Sequence, residues 1–435
     1  MRPATALFFT SLLLVLAVLP ACVSAERTYR RGLEREQTGN AEAAANDYIR
    51  ALERDASLAN VRGRLEVAGR EAIELRVRRA EGVRPVEAAE HYAAADDLAL
   101  RARAVGVVLA LPQGFADARD DAFAAAIEEL LEQAAMLREA QQYAPALQAL
   151  DRARTFRPTA AEAAALDQAA REAYGEWAEA EYAAGRFRAA YERAGQALGM
   201  APPGSAGFAR LERLREDALA TGTRRVALFP AEAASARADL PEGFLNDFND
   251  ILLDEYAARP PLFVRFAEPA AVRRLLRVER DAAGRLARPS RTGSLARDLD
   301  AHFGVALDVG SYASSEEERG RRTESARLRQ GGARVDFTRV ERRVTLSARA
   351  EFAVVDAASR NVVCSDQVQR QVSDTYATAS FDGDYRDLDL SRERRAWFDG
   401  TAEQNTREAL QERLRQTLAE AVAERVFACL GRQVR

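Results

Sequence analysis

The hydrophobic pattern of this chain changes period once, at Thr221-Gly222-Thr223, and that change divides it into two kinds of fold. From Glu26 to Thr221 the sequence is rich in Ala, Glu, Arg and Leu and nearly free of β-branched runs, a composition that favours helices. Beyond Thr223, short apolar or alternating runs bounded by Pro and Gly are interspersed with amphipathic stretches, the signature of strands mixed with helices. The expected fold class is α+β: an all-α N-terminal part, then an α/β sandwich domain with a mixed sheet and a long hairpin.

Small and aromatic residues recur at set offsets in the helical part. Gly39, Ala44, Tyr48 and Ala51 form one set, Tyr143, Ala146, Leu150, Ala153 and Pro158 a second, and Gly185, Phe187, Ala190, Ala197 and Pro202 a third. Ala88, Tyr92 and Ala95 make a weaker copy, in which the segment from Pro85 is the second helix of a pair. The pattern resembles the tetratricopeptide repeat, whose two helices cross on small residues and whose second helix is followed by Pro. Helix axes in close contact leave no room for larger side chains, so the alanines belong at the crossings, with Tyr48, Leu150 and Phe187 filling the space between pairs. The spacing departs from that family. Ala44 to Ala88 and Ala146 to Ala190 each span 44 residues, against ~34 in the family, so longer helices or inserted turns must absorb the excess. The resemblance implies a solenoid that offers a concave surface to a protein or peptide partner. The apolar run Val105 to Leu111, broken by Pro112-Gln113-Gly114, reads as a buried helix end or as packing between repeats.

The first residues form an address. Met1-Arg2 gives a short positive end and Leu7 to Leu19 is an almost unbroken apolar stretch, too short to span a bilayer of ~30 Å comfortably. It ends in Leu19-Pro20-Ala21-Cys22, which resembles the lipobox of bacterial lipoproteins, where a Cys is acylated and becomes the mature N-terminus. The rival is Val23-Ser24-Ala25, a small-x-small site that would release a soluble protein starting at Glu26. With Val23 rather than Asp after Cys22, the resemblance implies the outer membrane, with the body in the periplasm. The expected division is a signal peptide at 1–21, a lipidated N-terminus at 22–25, helical repeats at 26–222 and the α/β domain at 223–435.

In the C-terminal part, Arg225 to Pro230 reads as a buried strand, Phe244 to Tyr256 as a helix with one apolar face, Leu262 to Phe266 as a strand and Pro269 as the start of a second helix. A helix near Leu295 leads into the strand Val305 to Val309. Ser314 to Gly332, dense in Glu and Arg, reads as a solvated, mobile excursion. Val344 to Val355 and Val362 to Val372 alternate as paired strands, and a long amphipathic helix runs from Ala402 to Cys429. This order, carried by Arg225-Val-Ala-Leu-Phe-Pro, Leu240-Pro241-Glu242-Gly243-Phe244, Phe263 to Phe266, Gly304 to Gly310 and Phe352 to Asp356, resembles the domain shared by curli-secretion lipoproteins and the outer-membrane lipoproteins that activate penicillin-binding proteins. Two departures stand out. A repeat array replaces the activators' disordered tether, and no second amphipathic hairpin of the membrane-inserting kind is visible.

The chemistry available is narrow. The chain has no Lys, only His91 and His302 as histidines, and Cys22, Cys364 and Cys429 as cysteines. Lysine-dependent phosphate loops and Schiff bases are thereby excluded, and a His-rich metal site or a Ser-His-Asp triad is disfavoured. A net charge of −4 gives no reason to expect a nucleic acid. Phe381 to Asp389 gathers four carboxylates beside Arg392, Arg394 and Arg395, which would compete with any cation for them. Cys364 lies in a strand and Cys429 on the apolar side of the last helix, so they form a disulfide if the two elements pack together and remain separate thiols if not. The expectation is a non-enzymatic scaffold, with no cofactor, no metal and no catalytic residue, that binds envelope proteins and serves peptidoglycan synthesis or export. An envelope hydrolase using the acidic turn and an oligomeric secretion component are the alternatives.

Overall fold

The computed structural model describes residues 25–234, 240–279 and 288–433. Cys22 and the apolar leader lie outside the described residues. The chain divides into two compact units, one comprising the residues up to Ala180 with Glu192–Leu214, the other Glu181–Tyr191 with Arg215–Arg435.

The first unit is helical. It begins with α1 (25–37), α2 (Ala41–Arg54), α3 (Ala59–Ala80), α4 (Pro85–Ala104), α5 (Phe115–Glu139) and α6 (Tyr143–Arg154). It also holds most of α7 (Ala160–Ala183) and parts of α8 (Phe187–Met200) and α9 (Ala206–Gly222). Starts are set locally. Gly39 turns the chain at φ +75°, Asn40 accepts the Ala43 N–H at 3.1 Å as an N-cap, and Pro85 opens α4, where its missing N–H costs nothing. Two of the helices are long, α3 at 22 residues and α7 at 24. One apolar core joins α2, α3 and α4 through Tyr48, Ile49, Leu65, Ile73 and Leu98. A second joins α4, α5, α6 and α7 through Ala89, Ile127, Leu130, Leu150 and Leu166. The run after α4 is extended, and its Val107 and Leu109 are buried in the first of these cores. Gly69 of α3 makes the room, since a Cβ there would stand 2.6 Å from Leu109.

The second unit is built on a mixed sheet. Its strands are β1 (Arg224–Leu228), β2 (Glu232–Ala233), β3 (Val264–Phe266), β4 (Phe303–Leu328), β5 (Arg334–Asp356), β6 (Val362–Ser380) and β7 (Leu388–Asp389). Its further helices are α10 (Phe244–Ala258), α11 (Pro269–Glu279), α12 (Pro289–Asp298), the short α13 (Arg392–Ala396) and α14 (Thr401–Gln433). The main strand order is β3-β1-β4-β5-β6, with β1 parallel to β3 and β4, and β4, β5 and β6 antiparallel. Alternation along β1 assigns the faces. Val226 joins the core that holds Phe244, Phe248 and Leu252 of α10 with Leu414, Leu418 and Val422 of α14. Ala227 joins the core that holds Val272 of α11 with Leu295 and Ala296 of α12. Along β5, Val344, Leu346, Ala348, Ala350, Phe352 and Val354 are buried in turn against the α14 side.

The expected excursion at Ser314 to Gly332 is instead mostly strand, because β4 continues to Leu328 and pairs with β5 out to Arg327 opposite Arg334. The hydrophobic pattern hides this, since residues 314–320 are exposed or nearly so on both faces of the ribbon. Charge replaces apolar packing there. Glu316 accepts from Arg342 at 2.6 Å and from Arg407 of α14 at 2.5 Å, while Glu324 accepts from Arg339 at 3.3 Å and from Arg394.

Candidate functional site

A cavity of about 330 Å³ lies where the parallel strands end. Its wall is apolar: Leu228 and Phe229 at the end of β1, Val305 and Leu307 of β4, Leu252 and Leu253 of α10, and Val272 of α11. Ligand sites in open α/β sheets are found at the carboxyl ends of strands, because the loops and helix N-termini converge there. The connections follow that rule. β1 leads out through Phe229 and Pro230 toward α10, and β3 leads into α11, whose first residue Pro269 also lines the cavity.

Its polar groups are unevenly placed. Asn246, Asp250 and Arg273 are exposed, whereas Leu252 and Tyr256 are buried. Asn249 is committed to the fold, its Oδ1 accepting the Ala231 N–H at 2.7 Å and its Nδ2 donating to the Ala231 carbonyl at 3.4 Å. That clamp fixes the chain leaving β1 against α10. Burial alone pushes the Tyr256 phenol far above its ordinary value, so this buried part of the lining stays neutral. Among the described residues neither Arg273 nor Asp250 has an ion-pair partner, and both charges stand exposed in the lining. The sequence signal was present but unread. The apolar face Phe244, Phe248, Leu252 and Tyr256 was legible as core, while Asn249 and Leu253, one position on from Phe248 and Leu252, line the cavity with Asn246.

The residues singled out from the sequence fall in three places. Ala44, Tyr48, Ala51, Ala146, Leu150, Ala153, Ala190 and Ala197 are fully buried. Each set also has a residue in the left-handed region five positions before its first buried alanine: Gly39 at φ +75°, Gln141 at +58° and Gly185 at +74°. Gln141 was missed, because only glycine advertises that conformation in a sequence. Tyr143 is half-buried and stacks on Trp177 at 6.2 Å. Phe187 packs against the sheet unit's core beside Gly222 and Tyr182.

Cys364 of β6 and Cys429 of α14 are disulfide-bonded, their Cα atoms 6.2 Å apart. The acidic turn is a short 3₁₀ segment in which the Asp384 carboxylate accepts the Arg386 N–H at 3.0 Å. The expected competition there does not occur as drawn. Arg394 pairs with Glu324 and Arg395 donates to the Leu390 carbonyl at 3.2 Å. Around it, Phe337, Leu388 and Leu390 form a small core with Tyr385, Trp397 and Phe398, which closes the far end of the ribbon. Among the described residues no group of three or more His, Cys, Asp or Glu is placed to hold a metal ion. Of the histidines, His91 meets Arg76 at 3.2 Å and His302 accepts the Arg225 N–H on Nδ1 at 3.0 Å, so both are engaged within the fold.

No helix among the described residues is long and apolar enough to cross a membrane. No family model matches the chain, and no curated protein matches it. Among solved structures, the hypothetical protein CT253 from Chlamydia trachomatis is similar at 12% identity and a TM-score of 0.21, over 47% of this chain and 99% of that one.

Proposed function

We propose that the chain is a lipid-anchored scaffold of the bacterial envelope, whose tetratricopeptide-like helix pairs bind a protein partner and whose sheet domain docks on or regulates the machine that partner serves. The observation that carries the reading is a local geometry repeated along the helices before β1. Three times, a left-handed residue is followed at five and twelve positions by alanines with no exposed surface: Gly39 with Ala44 and Ala51, Gln141 with Ala146 and Ala153, Gly185 with Ala190 and Ala197. Arrays of this kind spend their conserved-size positions on packing and leave the remaining surface to partners. The Cys364–Cys429 bond supports an oxidising compartment, which agrees with the exported address read at Cys22. Peptidoglycan synthesis or outer-membrane export is the proposed setting, and the mechanism is binding alone.

The test is affinity capture with the full-length, acylated protein from detergent-solubilised envelopes, in parallel with an Ala146→Glu variant that disrupts one helix crossing. Envelope proteins held by the first and lost by the second support the scaffold. Recovery of none by a folded, acylated bait overturns it. Acyl labelling that persists in Cys22→Ser removes the address.

A further inference from the structure

We propose that the cavity between α10 and α11 binds a medium-chain fatty acid, its tail laid along α10 and its carboxylate held at Arg273. This inference goes beyond the scaffold reading and does not depend on it. The shape is the first argument. Asn246, Asn249, Leu253 and Tyr256 line the cavity at helical spacing, so its wall follows α10 for ten residues, about 15 Å at 1.5 Å per residue. A volume of about 330 Å³ drawn out over that length suits a single aliphatic chain better than a fused ring system. Each methylene taken from water into such a wall contributes ~0.8 kcal/mol.

Polarity is the second argument. The exposed side of the lining carries Arg273, unpaired among the described residues, and Pro269 brings in the first turn of α11, whose N-terminal dipole is positive too. The buried part of the lining, Phe229, Leu252, Val272, Val305 and Leu307, is apolar apart from the neutral phenol of Tyr256, so a charged head is accepted only on the exposed side. Asp250, exposed and also lining the cavity, opposes each added negative charge, which favours a monoanion over a phosphate monoester. An aliphatic monocarboxylate satisfies all three conditions.

Isothermal titration of the mature full-length chain with sodium decanoate, kept below its micelle-forming concentration, tests the assignment. Saturable one-to-one binding is expected. Arg273→Ala should weaken it about tenfold while leaving 1-decanol binding unchanged. Leu253→Trp, which fills the channel, should abolish binding of both. Because Leu253→Trp touches packed residues, Asn246→Trp at the exposed end provides a second block whose folding is not at stake. The proposal is overturned if decanoate shows no saturable binding, if both Trp variants fold and bind as the parent does, or if decyltrimethylammonium binds as tightly as decanoate.

Discussion

Gly32 shows how much a single missing carbon decides. It lies buried on α1, and a Cβ placed on it would stand 2.5 Å from Cε1 of Tyr48, a ring with no exposed surface that donates its hydroxyl to Glu36. Replacing glycine by alanine inside a helix gains about 1 kcal/mol, but overpacking a closed site costs ~1–3 kcal/mol. Gly32→Ala should therefore lower stability by about 1 kcal/mol, whereas in a Tyr48→Leu background, with the ring gone, the same change should be neutral or stabilising. Urea unfolding of the four proteins checks this, and additive effects would show that ring and glycine do not meet. The burial of Ala44, Ala146 and Ala190 was readable from spacing. Gly32 was not, because a glycine inside a helix has no local signature and its reason stands 16 residues away.

The three-stranded ribbon and α14 depend on charge and on one covalent bond. Arginines of α14 meet the edge strand β6, Arg425 with Asp366 at 3.5 Å and Arg413 with Asp374 at 3.9 Å. The same carboxylates accept the backbone N–H groups of Gln367 and Thr375 at 2.8 Å, which blunts an edge otherwise open to pairing with another chain. The outer half of β4 was unreadable as strand for a physical reason. Alternation reports a buried face, and here pairing is supported by the Glu316 and Glu324 ion pairs instead. Hydrogen bonds from Arg342 to Glu316, and from Arg394 to Glu324, hold both carboxyls below the ordinary range. A lowered folded-state pKa contributes stability above the unfolded value, ~4.3 for Glu, and that stability is lost as pH falls through the folded value. Melting temperature should thus drop below pH ~4, less steeply in Glu316→Gln, and equal slopes would refute the role given to that pair. The disulfide closes a loop of 65 residues, for which the chain-entropy relation gives about 4 kcal/mol. Cys364→Ser/Cys429→Ser should lower unfolding free energy by an amount of that order, measured against the oxidised parent, and parent treated with reductant should follow the double variant.

At the scale of the whole molecule, the change of hydrophobic period and the division into compact units do not coincide. The period changes at Thr221-Gly222-Thr223, but the sheet unit also claims Glu181–Tyr191 and the end of α9 from Arg215. The reason lies in aromatic packing that a linear pattern cannot register. Tyr191 meets Phe263 edge-on at 5.4 Å, Arg188 lies over the same ring at 5.5 Å, and Phe187 backs onto Gly222, where a Cβ would stand 2.6 Å away. Arg215 in turn covers the Tyr191 ring at 4.4 Å and donates to its hydroxyl at 2.7 Å. Phe263 itself is 2% exposed and held at φ +68°, a conformation that a bulky residue adopts only when its surroundings fix it. Cutting at 222 and 223 would strip that ring of its cover and expose a large aromatic surface, whose burial is worth ~1.5–3 kcal/mol per side chain. A fragment of residues 181–435 should therefore unfold in one cooperative transition, while 223–435 should be less stable by several kcal/mol or aggregate. Guanidinium unfolding followed by far-ultraviolet circular dichroism on the two fragments decides it. Equal midpoints would mean that the period change, and not the aromatic cover of Phe263, marks where the sheet domain begins.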